Sequence, residues 1–167
     1  MDLGLVAAAA VALPAAAMPD PAVGLQRGDI FVSTSDRATP LRAEAIQLGA
    51  APVLAWPMDR ESRVVRDGAR FNQVLLLRIA AEESNEIVAF TAICPHAGCL
   101  VSDWVAQTSH LHCPCHGSEY DPAKNGIVVA GPSPFPLPSL PVKTVDGLVT
   151  VAGPFSAPLG GHTSRTM

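Results

Sequence analysis

Apolar residues in this chain come in short runs, each closed off by turn formers. Ile30 to Ser33, Gln73 to Ile79 and Ile87 to Ile93 are rich in Leu or β-branched residues, the pattern of strands in a half-buried or buried sheet. The last two runs flank the polar segment Glu82-Glu83-Ser84-Asn85-Glu86, which reads as the loop of a hairpin. The Leu75-Leu76-Leu77 stretch inside the first of them reads as core. Near the end, Val142 to Val145 and Leu148 to Val151 are separated by Asp146-Gly147, a strong two-residue hairpin signal. One helix is expected, over Leu41 to Leu48: Thr39 offers an N-cap, Pro40 suits the first helical position and Gly49 supplies the stop. The pattern is that of an all-β domain with one short helix, and it shows no internal repeat.

Composition agrees with short strands joined by many turns: there are 16 prolines and 13 glycines among 167 residues. That length suits one domain with an ordinary core and leaves room for an anchor or targeting segment. A net charge of -4 without a dense Lys/Arg cluster removes the electrostatic footing of a nucleic-acid partner. Leu3 to Ala17 is Ala-rich and apolar and ends in Ala15-Ala16-Ala17 before Met18-Pro19-Asp20-Pro21, which reads as an export signal or a weak membrane anchor. It carries Asp2 and no Lys or Arg ahead of it, and it falls short of the roughly 20 residues of a spanning helix. The expected organisation is residues 1–24 as this segment plus a linker, a globular domain over 25–160, and a tail over 161–167.

All 4 cysteines fall between Cys94 and Cys115, beside histidines, which favours a metal site over a scattered disulfide framework. The two segments are Cys94-Pro95-His96-Ala97-Gly98-Cys99 and Cys113-Pro114-Cys115-His116-Gly117-Ser118. Each offers one Cys and one His at short spacing, the donor set of a [2Fe-2S] pair in which one iron takes two thiolates and the other two imidazoles. Cys94 and Cys113 would hold the first iron, and His96 and His116 the second. Exchanging two anionic thiolates for neutral imidazoles makes such a cluster easier to reduce. A closed zinc site could use the same four residues, but it gives the second pair of cysteines no role. Haem attachment needs Cys-x-x-Cys-His, and the spacing at Cys113-Pro114-Cys115-His116 is one residue short. His110 and His112 lack partner cysteines at ligand spacing and read as exposed or strand histidines; His162 is assigned no role.

The paired motifs C-x-H-x-G-C and C-P-C-H-G-S, both complete here, resemble the Rieske proteins of cytochrome bc1 and b6f complexes and the related small subunit of arsenite oxidase, over roughly Gln73 to Phe155. The resemblance implies a Rieske-type antiparallel β-sandwich with an inserted cluster-binding subdomain at about 91–135. It implies Cys94, His96, Cys113 and His116 as ligands of a Rieske [2Fe-2S] cluster, and Cys99 with Cys115 as a disulfide between the loops. Rieske ferredoxins and oxygenases lack those two cysteines, so the likeness is to the high-potential branch. Ser118 and Tyr120 match hydroxyl residues that donate hydrogen bonds to cluster and ligand sulfurs and raise the potential. Gly131-Pro132-Ser133-Pro134 resembles the proline loop that covers the cluster, which brings in Gly131 and Pro132. Pro95 and Ala97 depart from the Thr and bulky Leu or Met usual around the first His in bc1 and b6f proteins.

The function implied is one-electron transfer as the iron–sulfur subunit of a quinol:cytochrome c oxidoreductase, with cytochrome b, a c-type cytochrome and quinol as partners. The imidazole edges of His96 and His116 would meet the redox partner, and their outer nitrogens would gain protons on reduction. Pro95, Ala97 and the short anchor favour instead a relay subunit beside a molybdopterin catalytic chain, as in arsenite oxidase; a soluble carrier is the third reading. No substrate pocket of the chain's own is evident. The expected location is periplasmic, attached to the outer face of the cytoplasmic membrane, where a disulfide persists.

Overall fold

The computed structural model describes residues 20–80 and 85–160. Ten strands form two antiparallel sheets: β1 (Ile30–Ser33), β2 (Val53–Met58), β3 (Val74–Ala80), β4 (Asn85–Thr91), β5 (Asp103–Val105), β6 (His110–Cys113), β7 (Ser118–Asp121), β8 (Ile127–Ala130), β9 (Val142–Val145) and β10 (Leu148–Val151). The larger sheet runs β4-β3-β2-β1-β10-β9, and the smaller, inserted between β4 and β9 in the chain, runs β5-β6-β7-β8. The segment before β9 lies along β4: the Thr91 N–H donates to the Pro138 carbonyl at 2.9 Å and the Leu140 N–H to that of Ala89 at 2.8 Å. The two ends of the larger sheet are thereby brought together.

Strand periodicity explains the uninterrupted leucines. Successive side chains leave a strand on opposite faces, so β3 sends Val74 and Leu76 into the interior of the larger sheet, with Phe31, Ala55, Ala89, Val149 and Val151. Leu75 and Leu77 go to the other face, where Phe90, Leu111, Tyr120 and Leu137 join them. That second cluster includes Cys94 and Cys113, so the apolar floor that joins the two sheets is also the floor of the cysteine loops. The same alternation puts Phe31 inside and turns Ile30 and Val32 outward onto Trp56 and Met58.

The Asp146-Gly147 turn forms as the sequence predicts, with φ of 54° and 77°, the left-handed pair that a two-residue hairpin needs. The expected β3–β4 hairpin is also present, with Ala80 opposite Asn85; residues 81–84 of its loop lie outside the described residues. So do the predicted export segment over Leu3 to Ala17 and the 161–167 tail with His162. Among the described residues no helix is long and apolar enough to cross a membrane.

The helix expected over Leu41 to Leu48 does not form. Only a 3-10 turn at Ala43–Ala45 appears there. Pro40 bridges Val32 and Arg42 bridges Leu148, so the flanking backbone is spent on the edges of strands and holds extended angles that an α-helix cannot use. β2 escapes sequence reasoning because Pro57 interrupts it. Its carbonyl accepts from the Arg66 N–H, on the flank away from β1. The missing proline N–H faces that flank too, outside the β1–β2 ladder.

Gly126, after the 3-10 turn Pro122–Lys124, has φ of +73°, and a Cβ there would lie 2.7 Å from the Leu137 carbonyl and 2.8 Å from the Phe90 ring. Gly126→Ala is expected to cost about 2 kcal/mol or more, combining backbone strain with overpacking, read as a lower denaturant midpoint at unchanged m-value.

Candidate metal centre

Each cysteine loop is closed by the same device. The Gly98 N–H donates to the Cys94 carbonyl at 2.9 Å and the Gly117 N–H to the Cys113 carbonyl at 3.0 Å. Both glycines hold positive φ, 71° and 75°, a turn that only a residue without Cβ makes cheaply. The first loop follows β4 and is pinched at its base by the Ile93–Leu100 bridge. The second is the hairpin between β6 and β7, with Cys113 opposite Ser118.

The two loops meet. Cys99 and Cys115 are joined in a disulfide, and its sulfurs lie within 4.8 Å of the Cys113 sulfur. Cys94 and Cys113 are free thiols, each 1% exposed, and the Cys94 sulfur lies within hydrogen-bonding reach of Cys113. The His96 and His116 rings pack edge to face with centroids 4.7 Å apart. His96 is partly exposed, yet its Nδ1 is buried without a hydrogen-bond partner. A buried polar atom without a partner carries a desolvation cost, which an iron bond at Nδ1 would remove. Two buried thiols, two adjoining imidazoles and an unpartnered ring nitrogen fit a [2Fe-2S] pair with mixed ligands.

Around these donors the protein places hydrogen bonds. The Tyr120 hydroxyl lies 3.0 Å from the Cys94 sulfur. The Ser133 N–H donates to Ser118 Oγ at 3.1 Å, and the Ser118 side chain hydrogen-bonds with Tyr120. Gly131 makes the close approach possible: a Cβ there would sit 2.4 Å from both the Gly117 carbonyl oxygen and Ser118 Cα. The 131–134 loop thus lies directly on the second cysteine loop. Pro132 is exposed at its turn, and Ser133 is buried beneath it.

Burial pushes the Cys113 thiol up, although the backbone N–H groups of Cys115 and His116 bond its sulfur and oppose that rise. Those two N–H groups are ready to stabilise a thiolate. Burial also holds the Tyr120 phenol well above its ordinary value, and the neighbouring Cys94 sulfur adds to the effect. Tyr120 therefore stays a donor across the physiological range. His110 and His112 sit on β6 and pair with carboxylates instead, Nδ1 of His110 with Glu119 at 3.2 Å and Nδ1 of His112 with Asp103 at 3.5 Å.

Residues 55–141 match the family described as Rieske [2Fe-2S] domain. The chain belongs to the Rieske [2Fe-2S] family. The cofactor of this Rieske domain is a [2Fe-2S] cluster. Among relatives, the cytochrome bc1 complex Rieske iron–sulfur subunit of Corynebacterium glutamicum is 32% identical over 154 residues, covering 83% of this chain and 37% of the relative. The cytochrome b6-f complex iron–sulfur subunit of Chlorobaculum tepidum is 38% identical over 74 residues, 44% of this chain and 39% of that one. Among solved structures, the soluble domain of Rieske protein II from Sulfolobus acidocaldarius is similar at 36% identity with a TM-score of 0.41, covering 46% of this chain and 44% of that one. The chain spans little more than a third of the length of its relatives from Corynebacterium glutamicum and Corynebacterium diphtheriae, 37% and 36%.

Two contacts at the Rieske site are not read from the sequence. The resemblance places Ser133 in the loop over the centre, but does not give its backbone hydrogen bond to Ser118. Arg70, far from the cysteines in sequence, donates through Nη2 to the Gly98 carbonyl; only folding brings it to the first loop.

Tyr120 is the chain's one tyrosine, so tyrosinate absorbance reads it alone. No tyrosinate should appear through the ordinary phenol range near about 10. Folding stability should fall as pH climbs above that range, because the unfolded chain releases this proton first. Tyr120→Phe should keep the fold, since the ring remains in the core, and disfavour the reduced cluster. Losing one hydrogen bond to a charged group, on the order of 1.5 kcal/mol, corresponds to roughly 60 mV for a one-electron couple, measured by redox titration.

Proposed function

We propose that this Rieske domain is the iron–sulfur component of a quinol:cytochrome c oxidoreductase of bc1 or b6f type, taking one electron from quinol and passing it to a c-type cytochrome. Cys94 and Cys113 would hold one iron and His96 and His116 the other. The observation that carries the ligand assignment is the convergence of two buried free thiols with two adjoining imidazoles, one of which buries an unpartnered Nδ1. When bound, the cluster supplies a site that accepts and releases single electrons.

The protein's part is burial, hydrogen bonding and exposure of one edge. The thiol side is sealed in the core, whereas His96 is partly exposed and His116 exposed. A partner therefore approaches the imidazoles. With Nδ1 of His96 buried, that nitrogen would hold iron, and Nε2 on the outer side of the ring would be left to carry a proton. The support for the bc1 or b6f assignment is the naming of the relatives, which extend well beyond this chain. With a disulfide at the tip, an oxidising compartment suits the domain, and we place it in the periplasm, held at the outer face of the membrane with cytochrome b.

A second reading has specific support. A protein of Haloferax mediterranei, 33% identical over 106 residues, covering 57% of this chain and 47% of its own length, has a name that provisionally assigns it to a respiratory nitrate reductase as its Rieske subunit. The exposed first-loop residue is the small Ala97, where bc1 and b6f proteins usually carry a bulky Leu or Met, and this departure favours docking to a molybdopterin catalytic subunit over entry into a quinol pocket.

The test begins with the purified protein. A rhombic EPR signal in the reduced state, with average g below that of the free electron, is expected with a midpoint potential inside roughly −150 to +300 mV. A colourless protein holding zinc would overturn the ligand assignment. Coexpression with a cytochrome b of bc1 or b6f type should give quinol-dependent reduction of the cluster; reduction only by a molybdopterin subunit would transfer the assignment to the second reading.

A further inference from the structure

We infer that Arg70 is a positioning residue for the first cysteine loop and that its positive charge raises the reduction potential of the cluster; this rests on the ligand assignment above. The guanidinium donates through Nη2 to the carbonyl of Gly98, the residue whose N–H closes the loop onto Cys94. Contact is close: a Cβ added to Gly98 would lie 3.0 Å from Nη2. The same guanidinium stands 5.4 Å from the centroid of the Phe71 ring, a second restraint on its direction.

The support under Arg70 is rigid. It leaves the 3-10 turn Arg70–Asn72, whose last residue is buried with every amide group used. Asn72 Oδ1 accepts from the Leu25 N–H, and Nδ2 donates to the carbonyls of Val23 and Arg66. Arg66 in turn forms a buried two-point pair with Asp29. Among the described residues no carboxylate comes within ion-pair distance of Arg70, whereas Arg37, Arg42, Arg60, Arg66 and Lys124 each have one.

The field of this cation is also little opposed at the tip. Residues 92–102, 111–118 and 125–142 contain no Asp, Glu, Lys or Arg. Reduction adds one electron from a partner protein and makes the cluster one unit more negative, so a fixed, unneutralised cation on the loop stabilises the reduced form over the oxidised. Arg70 is exposed, so salt weakens the effect.

The experiment compares midpoint potentials of the cluster-loaded wild type, Arg70→Gln and Arg70→Lys at low and high ionic strength, with reduced-state EPR of each. Arg70→Gln should lower the equilibrium constant for one-electron reduction about tenfold, which is about 59 mV for a one-electron couple. Arg70→Lys should keep most of the wild-type value, the wild type–Gln gap should narrow in high salt, and the EPR g values should stay put. A Gln variant at the wild-type potential, or a Lys variant that falls as far as Gln, overturns the inference. Should Arg70→Gln fail to retain the cluster, Arg70→Lys decides: retention near the wild-type potential supports the role, and loss or a tenfold shift removes it. A wild type without an iron–sulfur cluster defeats the ligand assignment itself, a result distinct from a loaded protein indifferent to residue 70.

Discussion

The apposition of two short loops over one apolar floor is the constraint on which the remaining structure depends. Cys94 and Cys113 belong at once to the site and to the core cluster of Leu75, Leu77, Phe90, Leu111, Tyr120 and Leu137. The distance between the loops is consequently set by side-chain packing beneath them as well as by the Cys99–Cys115 disulfide beside them. Close packing resists small displacements, and a ligand set drawn from two separate chain segments needs that resistance. Neither loop alone offers more than one Cys and one His for a metal.

Each layer outside the ligands serves two ends. Tyr120 fills core volume with its ring and presents its hydroxyl to the Cys94 sulfur. Gly131 permits the 131–134 loop to lie on the second cysteine loop, and that approach is what lets the Ser133 N–H reach Ser118. The centre is dry on its thiol side and open on its imidazole side. This asymmetry suits the relay proposed for the domain: burial and hydrogen bonds would set the potential, and the exposed ring edges would admit a partner. The larger sheet makes no direct contribution of donors. It fixes where β4 ends, and hence where the first loop begins, and the start of β3, opposite that end of β4, carries the turn from which Arg70 reaches Gly98.

Much of this was legible in the residues. Spacing of Cys94, His96, Cys113 and His116 announces paired loops, because short-range geometry limits which donors can share a metal. Gly98 and Gly117 announce tight turns, and Asp146-Gly147 a hairpin, because φ preferences act within one or two residues. The short apolar runs that become β1, β3, β4 and β10 were equally readable. The failures share a cause as well. Thr39-Pro40 and Gly49 carry a good local helix signature, yet the segment is drawn into bridges with β1 and β10. β5 and β6 are only three and four residues long, too brief for any period to declare itself, and β2 hides behind Pro57.

By itself, then, the sequence determined the chemistry of the donor set, the turns that carry it and the all-β character, since these follow from residue type and near-neighbour geometry. Tertiary structure alone decided which atoms are buried: that the thiols are sealed and the imidazoles exposed, that His96 Nδ1 has no protein partner, and that an arginine at position 70 closes on a loop beginning at position 94. Burial and long-range electrostatics depend on what the whole chain packs around a group, and no window of local sequence contains that information.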